Sequence, residues 1–123
     1  MLEIHEKKSF EGYENIISSI NDENIKIIES FSSGLTDGYG IYSASDGKIT
    51  VYDYDGGDPN IIDGIIRTIL FKGQFKGINV CEFRLIESEK YKKLITLNFI
   101  NDSCKIINDI ADFMNNCKKC KDL

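Results

Sequence analysis

A chain of 123 residues, 41% hydrophobic and 28% charged, is the size and composition of one globular domain with a single core, and excludes a disordered or low-complexity protein. Its formal net charge of −5 argues against non-specific nucleic-acid binding, so a small anionic ligand would need a local positive site built against that background. No apolar run approaches ~20 residues, and the first six residues lack a basic-then-apolar leader pattern, so neither a membrane span nor a secretory signal is expected.

The expected location is therefore the cytoplasm, where Cys81, Cys104, Cys117 and Cys120 are free thiols. The Ile- and Lys-rich, Pro-poor usage is that of a low-GC bacterium. In chain order, residues 1–7 read as a short strand. Ser9 is placed as the N-cap of a helix over Phe10–Ile20, because Phe10, Tyr13, Ile16, Ile17 and Ile20 fall at helical spacing. After a turn at 21–24, alternation predicts a strand over Ile25–Ser32. Residues 33–38 read as a loop and Tyr39–Ser45 as the next strand. Asp46-Gly47 is a two-residue hairpin signal, since a type I′ turn needs positive φ at both positions. That turn sets Ser45 opposite Lys48 and makes Ile41 and Tyr52 cross-strand neighbours. It places Tyr39, Ile41, Thr50, Tyr52 and Tyr54 on one face, and Tyr42, Ala44, Ile49, Val51 and Asp53 on the other.

The central unit is a strand over Lys48–Tyr54, a loop at Asp55-Gly56-Gly57-Asp58, and a helix opening at Pro59 with Asp58 as its cap. Ile61, Ile62, Ile65, Ile66, Ile69 and Leu70 give that helix one apolar face, and Asp63 and Arg67 pair four apart on the other side. Gly73 and Gly77 mark its end. A strand over Ile78–Ile86 then carries Cys81, Phe83 and Leu85 on one face, completing a βαβ crossover. Glu87–Asn98 reads as a helix with Tyr91, Leu94, Ile95 and Leu97 inward. Cys104–Ile107 is a short strand, and Asn108 caps a last helix over Asp109–Asn116, where Ile110, Phe113, Met114 and Cys117 are helically spaced.

This order is an α+β design: a mixed, mostly antiparallel sheet with helices on both sides. Carried by GYGIYSASDGKITVYDYDG, GGDPNIIDGIIRTIL, KGINVCEF and EKYKKLITLNF, it resembles the Gcn5-related N-acetyltransferase (GNAT) fold, as a compact and divergent member, over nearly the whole of a single domain, 1–123. The resemblance implies a divergent acyl-CoA-dependent N-acetyltransferase with acetyl-CoA as cofactor and no metal. In that family a loop of the type Gln/Arg-x-x-Gly-x-Gly/Ala and the following helix N-terminus hold the cofactor's pyrophosphate. It implies loop contacts from Gly56, Gly57 and Asn60, and Asp53 or Tyr91 near the reacting amine. The chain departs from the pattern at the loop's basic or amide residue, which is missing. Pro59 removes an amide, Asp55 and Asp58 add negative charge, Leu94 falls near the general-acid tyrosine and Asn98 replaces a glycine. These departures predict weak or absent acetyl-CoA binding. They open an alternative of another class: a non-catalytic binding or protein-interaction module that keeps the fold without the pyrophosphate loop.

The remaining constellations have plainer readings. Asp53, Asp55 and Asp58 are spaced like part of a calcium loop but lack its distal bidentate Glu, so a polar strand end followed by a helix cap is preferred. Cys117 and Cys120 have the spacing of half a zinc site with no evident second pair, and metal-free thiols are expected. His5, the only histidine, reads as a surface residue. Tyr39, Tyr52 and Tyr54 read as packing under a helix, with stacking on a planar ligand or a homodimer face as the alternatives. Lys72, Lys76, Lys90, Lys92 and Lys93 read as a solvated face diluted by Glu82, Glu87 and Glu89. The expected partner is a small molecule or a protein, with neither nucleic acid nor membrane.

Overall fold

A computed structural model describes residues 3–115. Its elements are β1 (Glu3–Lys7), α1 (Glu14–Ile17), β2 (Ile25–Ser32), β3 (Leu35–Ser45), β4 (Lys48–Gly56), α2 (Pro59–Phe75), β5 (Cys81–Phe83), α3 (Lys90–Thr96), β6 (Ile106–Ile107) and α4 (Ile110–Asn115). The six strands form one sheet in chain order, β1 to β6. Every pair is antiparallel except β4 with β5. That one parallel pair is the crossover spanned by α2, as the central unit requires. No helix among the described residues is long and apolar enough to cross a membrane.

Both faces of the sheet are covered. Ile28, Tyr42, Ile49, Val51 and Tyr54 pack under α2, with Leu94 of α3 and Ile110 of α4 in the same cluster. On the other face Ile25, Ile27 and Ile41 meet Tyr13, Ile16, Ile17 and Ile20 of the α1 region. Burying Ile62, Ile65, Ile66, Ile69 and Leu70, at about 1.5–3 kcal/mol each, outweighs any cap or surface pair in holding α2 down. Asp58 caps it, accepting from the Asn60 amide at 2.7 Å, with Pro59 in the first turn. The Asp63–Arg67 pair forms at 3.0 Å.

The structure corrects the sequence reading in six places. The helix expected over Phe10–Ile20 is one turn, because Gly12 takes φ +91°, a conformation outside any helix. Ser9 does not cap it. Residues 33–38 are not a loop: Ser33 and Gly34 form a second two-residue turn (φ +53° and +81°), and β3 begins at Leu35. β5 is shorter than Ile78–Ile86, although the Arg84 and Ile86 amides still donate to Val51 and Tyr52 carbonyls at 2.9 and 3.1 Å. α3 ends before Asn98, which adopts φ +67°, a post-helical position that Asn tolerates nearly as well as Gly. Asp109, not Asn108, caps α4 by accepting from the Asp112 amide.

The correction that matters most for the site is in β4. The Asp46-Gly47 turn forms, with φ +56° and +76°, and Ser45 faces Lys48. Four residues on, the register shifts: Tyr42 pairs with Val51 but Ile41 pairs with Asp53, so Tyr52 is the extra residue of a bulge. Tyr52 and Ile41 share a face without being partners. The bulge brings Asp53 to the Ile41 face and turns Tyr54 to the α2 face, the reverse of what strict alternation gave both residues.

Candidate functional site

Because β4 is bulged at Tyr52 and β5 pairs with it no further than that residue, the two strands part just before the glycine loop. Three elements meet there. Asp53 is buried, and its Oδ1 accepts from Lys90 Nζ at 2.7 Å and from the Tyr54 amide at 2.9 Å. Its Oδ2 accepts from the Tyr39 hydroxyl at 2.7 Å. Lys90, from α3, also donates to the Tyr54 carbonyl at 2.7 Å, and the Tyr54 hydroxyl donates to the Lys90 carbonyl. The ammonium lies 5.8 and 5.7 Å from the Tyr39 and Tyr54 ring centroids, within cation–π range. The amide and carbonyl of Tyr54, left free where β5 departs, are thus satisfied by Asp53 and Lys90, which close the gap between the strands.

The loop is satisfied in the same internal way. The Gly56 amide donates to Asp55 Oδ1 at 2.8 Å and the Asn60 amide to Asp58 Oδ1 at 2.7 Å. The Ile61 and Ile62 amides donate to the Asp58 carbonyl at 3.0 and 3.1 Å, and Pro59 has no amide to give. Gly56 and Asn60, two of the expected loop contacts, therefore come together at the start of α2 with their amides already engaged. Gly57 differs: a Cβ built there meets nothing within 4 Å, so the packing does not demand a glycine.

Tyr91 follows Lys90 in the chain but works elsewhere. Its hydroxyl donates to the Phe83 carbonyl at 3.0 Å and accepts from the Leu85 amide at 2.9 Å, pinning α3 to the end of β5. No hydrogen bond joins it to Asp53. The residue between them, Lys90, was read from sequence as part of a solvated face, and is the one that binds Asp53. The three aspartates do not converge: Asp53 faces Lys90, while Asp55 and Asp58 each turn back on a local amide. Among the described residues no group of three or more His, Cys, Asp or Glu could hold a metal ion. Cys81 is buried, which pushes its thiol well above the ordinary range, and Cys104 is partly exposed; both are free. Cys117 and Cys120 lie outside the described residues. His5 is exposed, 3.6 Å from Glu3.

Two hollows flank the loop. A groove of about 290 Å³ between α2 and α3 is lined by Pro59, Ile62, Lys92, Lys93, Thr96 and Leu97. It is apolar at its base, with two lysines in its wall. A second hollow of about 330 Å³ is lined by Asp37, Tyr39, Asp55, Gly56 and Gly57, with Thr36 and Gly38 beside them. Hydrogen bonds from Ser30 and Ser32 hold the Asp37 carboxyl below the usual carboxylate range.

Tyrosines dominate the titration of this half of the molecule. Burial pushes Tyr42 and Tyr54 up to about 12. Burial, then a carboxylate partner, raises Tyr13, Tyr39 and Tyr52, bonded to Glu29, Asp53 and Asp22 respectively. Tyr39 and Tyr52 thus pack beside α1 as expected, while Tyr54 belongs to the other face. A tyrosine whose folded pKa is raised holds its proton longer than the unfolded chain does, so its contribution is complete below the unfolded pKa near 10 and is lost above it. Glu82, paired with Lys48 and Arg84, and Asp37 are lowered; their contribution is complete above about pH 4.5 and is lost as pH falls. Urea midpoints measured against pH should therefore form a plateau that drops above about pH 10 and below about pH 4.5. A midpoint unchanged from pH 9 to pH 11.5 would contradict the tyrosine half.

No protein-family model matches the chain, and no curated protein matches it. Among solved structures it is similar to the ribosomal-protein-S18-alanine N-acetyltransferase from Escherichia coli, with a TM-score of 0.59 and 9% identity, over 79% of this chain and 76% of that one. At that identity the likeness is one of fold: the chain has the GNAT-like α+β fold, with its mixed, mostly antiparallel sheet.

Proposed function

We propose that this chain uses the acetyltransferase framework as a non-catalytic binding or protein-interaction module. The observation that carries this reading is the occupation of the loop by its own carboxylates. Asp55 and Asp58 hold the Gly56 and Asn60 amides that a pyrophosphate would need. A carboxylate about 4 Å from a phosphate oxygen costs about 4 kcal/mol near a protein surface, whereas a helix N-terminus returns about 0.3–1 kcal/mol. Lys90 adds a second obstacle, because it fills the β4 edge on which an extended, amide-containing arm would otherwise pair. The loop as built does not fit the pyrophosphate of acetyl-CoA.

The second reading, a divergent acyl-CoA-dependent N-acetyltransferase, is favoured by the groove beside Pro59, with Lys92 and Lys93 in its wall. In that reading Gly56, Gly57 and Asn60 contact the cofactor, and Asp53 or Tyr91 lies near the acceptor amine. Calorimetric titration of acetyl-CoA at low salt separates the two. Wild type should show no micromolar binding. Asp58→Gly should gain affinity at a cost of a few tenths of a kcal/mol in stability, since Gly is itself a tolerable N-cap. Micromolar binding by wild type would make the enzyme reading the leading one.

A further inference from the structure

At the far end of α2, about 25 Å from Asp58 along the helix, a different cleft of about 250 Å³ is lined by Lys26, Lys72, Lys76, Tyr42, Phe75 and Glu6. The chain is acidic overall, yet three lysines from β2 and from the end of α2 converge here. Burial, then the like charge of Lys26, lowers the Lys76 pKa, with Glu6 acting in the opposite sense and Lys72 adding to the repulsion. Ammonium groups are donors only and cannot satisfy one another, so three lysines here share a single carboxylate acceptor, Glu6. Glu6 lies 3.8 Å from Lys26 and is the one carboxylate in the lining, while Lys72 and Lys76 form no ion pair among the described residues. The negative C-terminal end of α2 accounts for Lys72 in the last turn. It does not account for Lys26, which comes from β2. Beside the lysines, Phe71 and Phe75 stack at 4.9 Å, and Phe75 is 81% exposed, an apolar ring left in water at the rim of a positive cleft.

We propose that this cleft binds a phosphate monoester carrying a planar ring, of the mononucleotide class, with the phosphate held by Lys26, Lys72 and Lys76 and the ring stacked on Phe75. A phosphate offers three acceptor oxygens to three donors, where a carboxylate offers two. The site is separate from the glycine loop and does not depend on whether that loop binds coenzyme A.

The test is calorimetry and amide-shift titration of the intact chain with adenosine monophosphate, adenosine and inorganic phosphate at low salt. The monophosphate should bind at least about tenfold more tightly than either fragment, with shifts at Lys26 and at residues 72–76. The double variant Lys72→Gln/Lys76→Gln should weaken it about tenfold or more by removing two charge-assisted hydrogen bonds. Phe75→Ser should weaken it about three- to tenfold and leave inorganic phosphate unchanged. These side chains are at the surface, and unchanged urea midpoints would confirm that the variants fold. The proposal is overturned by absence of binding at millimolar monophosphate, by equal binding of adenosine, by insensitivity to the lysine pair, or by shifts confined to residues 56–60.

Discussion

Asp53→Ala should cost about 3–5 kcal/mol of folding stability, the range for removing one partner of a buried ion pair. The Asp53 side chain is 5% exposed and that of Lys90 19%, so the abandoned ammonium would face the Tyr54 carbonyl and two aromatic rings, with only the exposed Glu87 carboxylate, 3.9 Å away, as an anion beside it. The Tyr39 hydroxyl and the Tyr54 amide would lose their acceptor in the same step, and buried donors without partners cost more than the bonds themselves contributed. Lys90→Met should cost less, because its aliphatic replacement can pack against Tyr39 and Tyr54 while Asp53 keeps those two donors. The double variant Asp53→Ala/Lys90→Met should then be more stable than the sum of the singles by about 0.5–3 kcal/mol. Urea denaturation at constant slope reads all three. A loss below about 1 kcal/mol for Asp53→Ala would mean that the pair is solvated, and the gap between β4 and β5 would then be open to a ligand.

Why this network escaped the sequence while α2 did not is a matter of where the information lies. The α2 signal is local: six aliphatic positions at helical spacing, Asp58-Pro59 at the start and Asp63–Arg67 on the outer side all fall within a few residues of one another. The Asp46-Gly47 turn is equally local, since two adjacent residues supply both positive φ angles. Ser33-Gly34 makes the same kind of turn, but Ser lacks the preference for positive φ that marks Asn and Asp, and the stretch reads as a loop. The bulge at Tyr52 has no signature at all. Both faces of β4 are apolar or aromatic, so an extra residue breaks no hydrophobic alternation that a reader could see. Lys90 is one basic residue among several in α3, and its partner Asp53 lies 37 positions earlier, a pairing that only the folded topology creates. The candidate loop was legible as chemistry, including its excess of carboxylates. Asp58 was legible as the cap that takes a first-turn amide; that Asp55 likewise spends its charge on the Gly56 amide required coordinates.

The two glycines at either end of the acidic hollow should respond in opposite ways to a single added methyl. A Cβ on Gly38 would stand 2.7 Å from Ser30 Oγ, 2.8 Å from the Asp55 carbonyl oxygen and 2.8 Å from Ile65 Cδ1. These obstacles come from β2, β4 and α2, and the Asp55 oxygen is backbone in a paired strand opposite Gly38's own neighbour. It cannot swing aside as a side chain would. Gly38→Ala should therefore destabilise by about 1–3 kcal/mol, the usual cost of overpacking, and should disturb amide shifts at residues 55–57 as β4 is pushed outward. Gly57→Ala meets nothing within 4 Å and sits outside the positive-φ region, so restricting the unfolded chain should leave stability unchanged or raise it by up to about 1 kcal/mol. Thermal and urea unfolding of the two variants side by side test this. If Gly38→Ala were as stable as wild type, β3 and β4 would have to be free to separate beside the loop, and the closed arrangement at Asp53 could not be rigid. If Gly57→Ala unfolded early, that glycine would be serving the fold, and its open surroundings would no longer mark the one part of the loop that the protein leaves uncommitted.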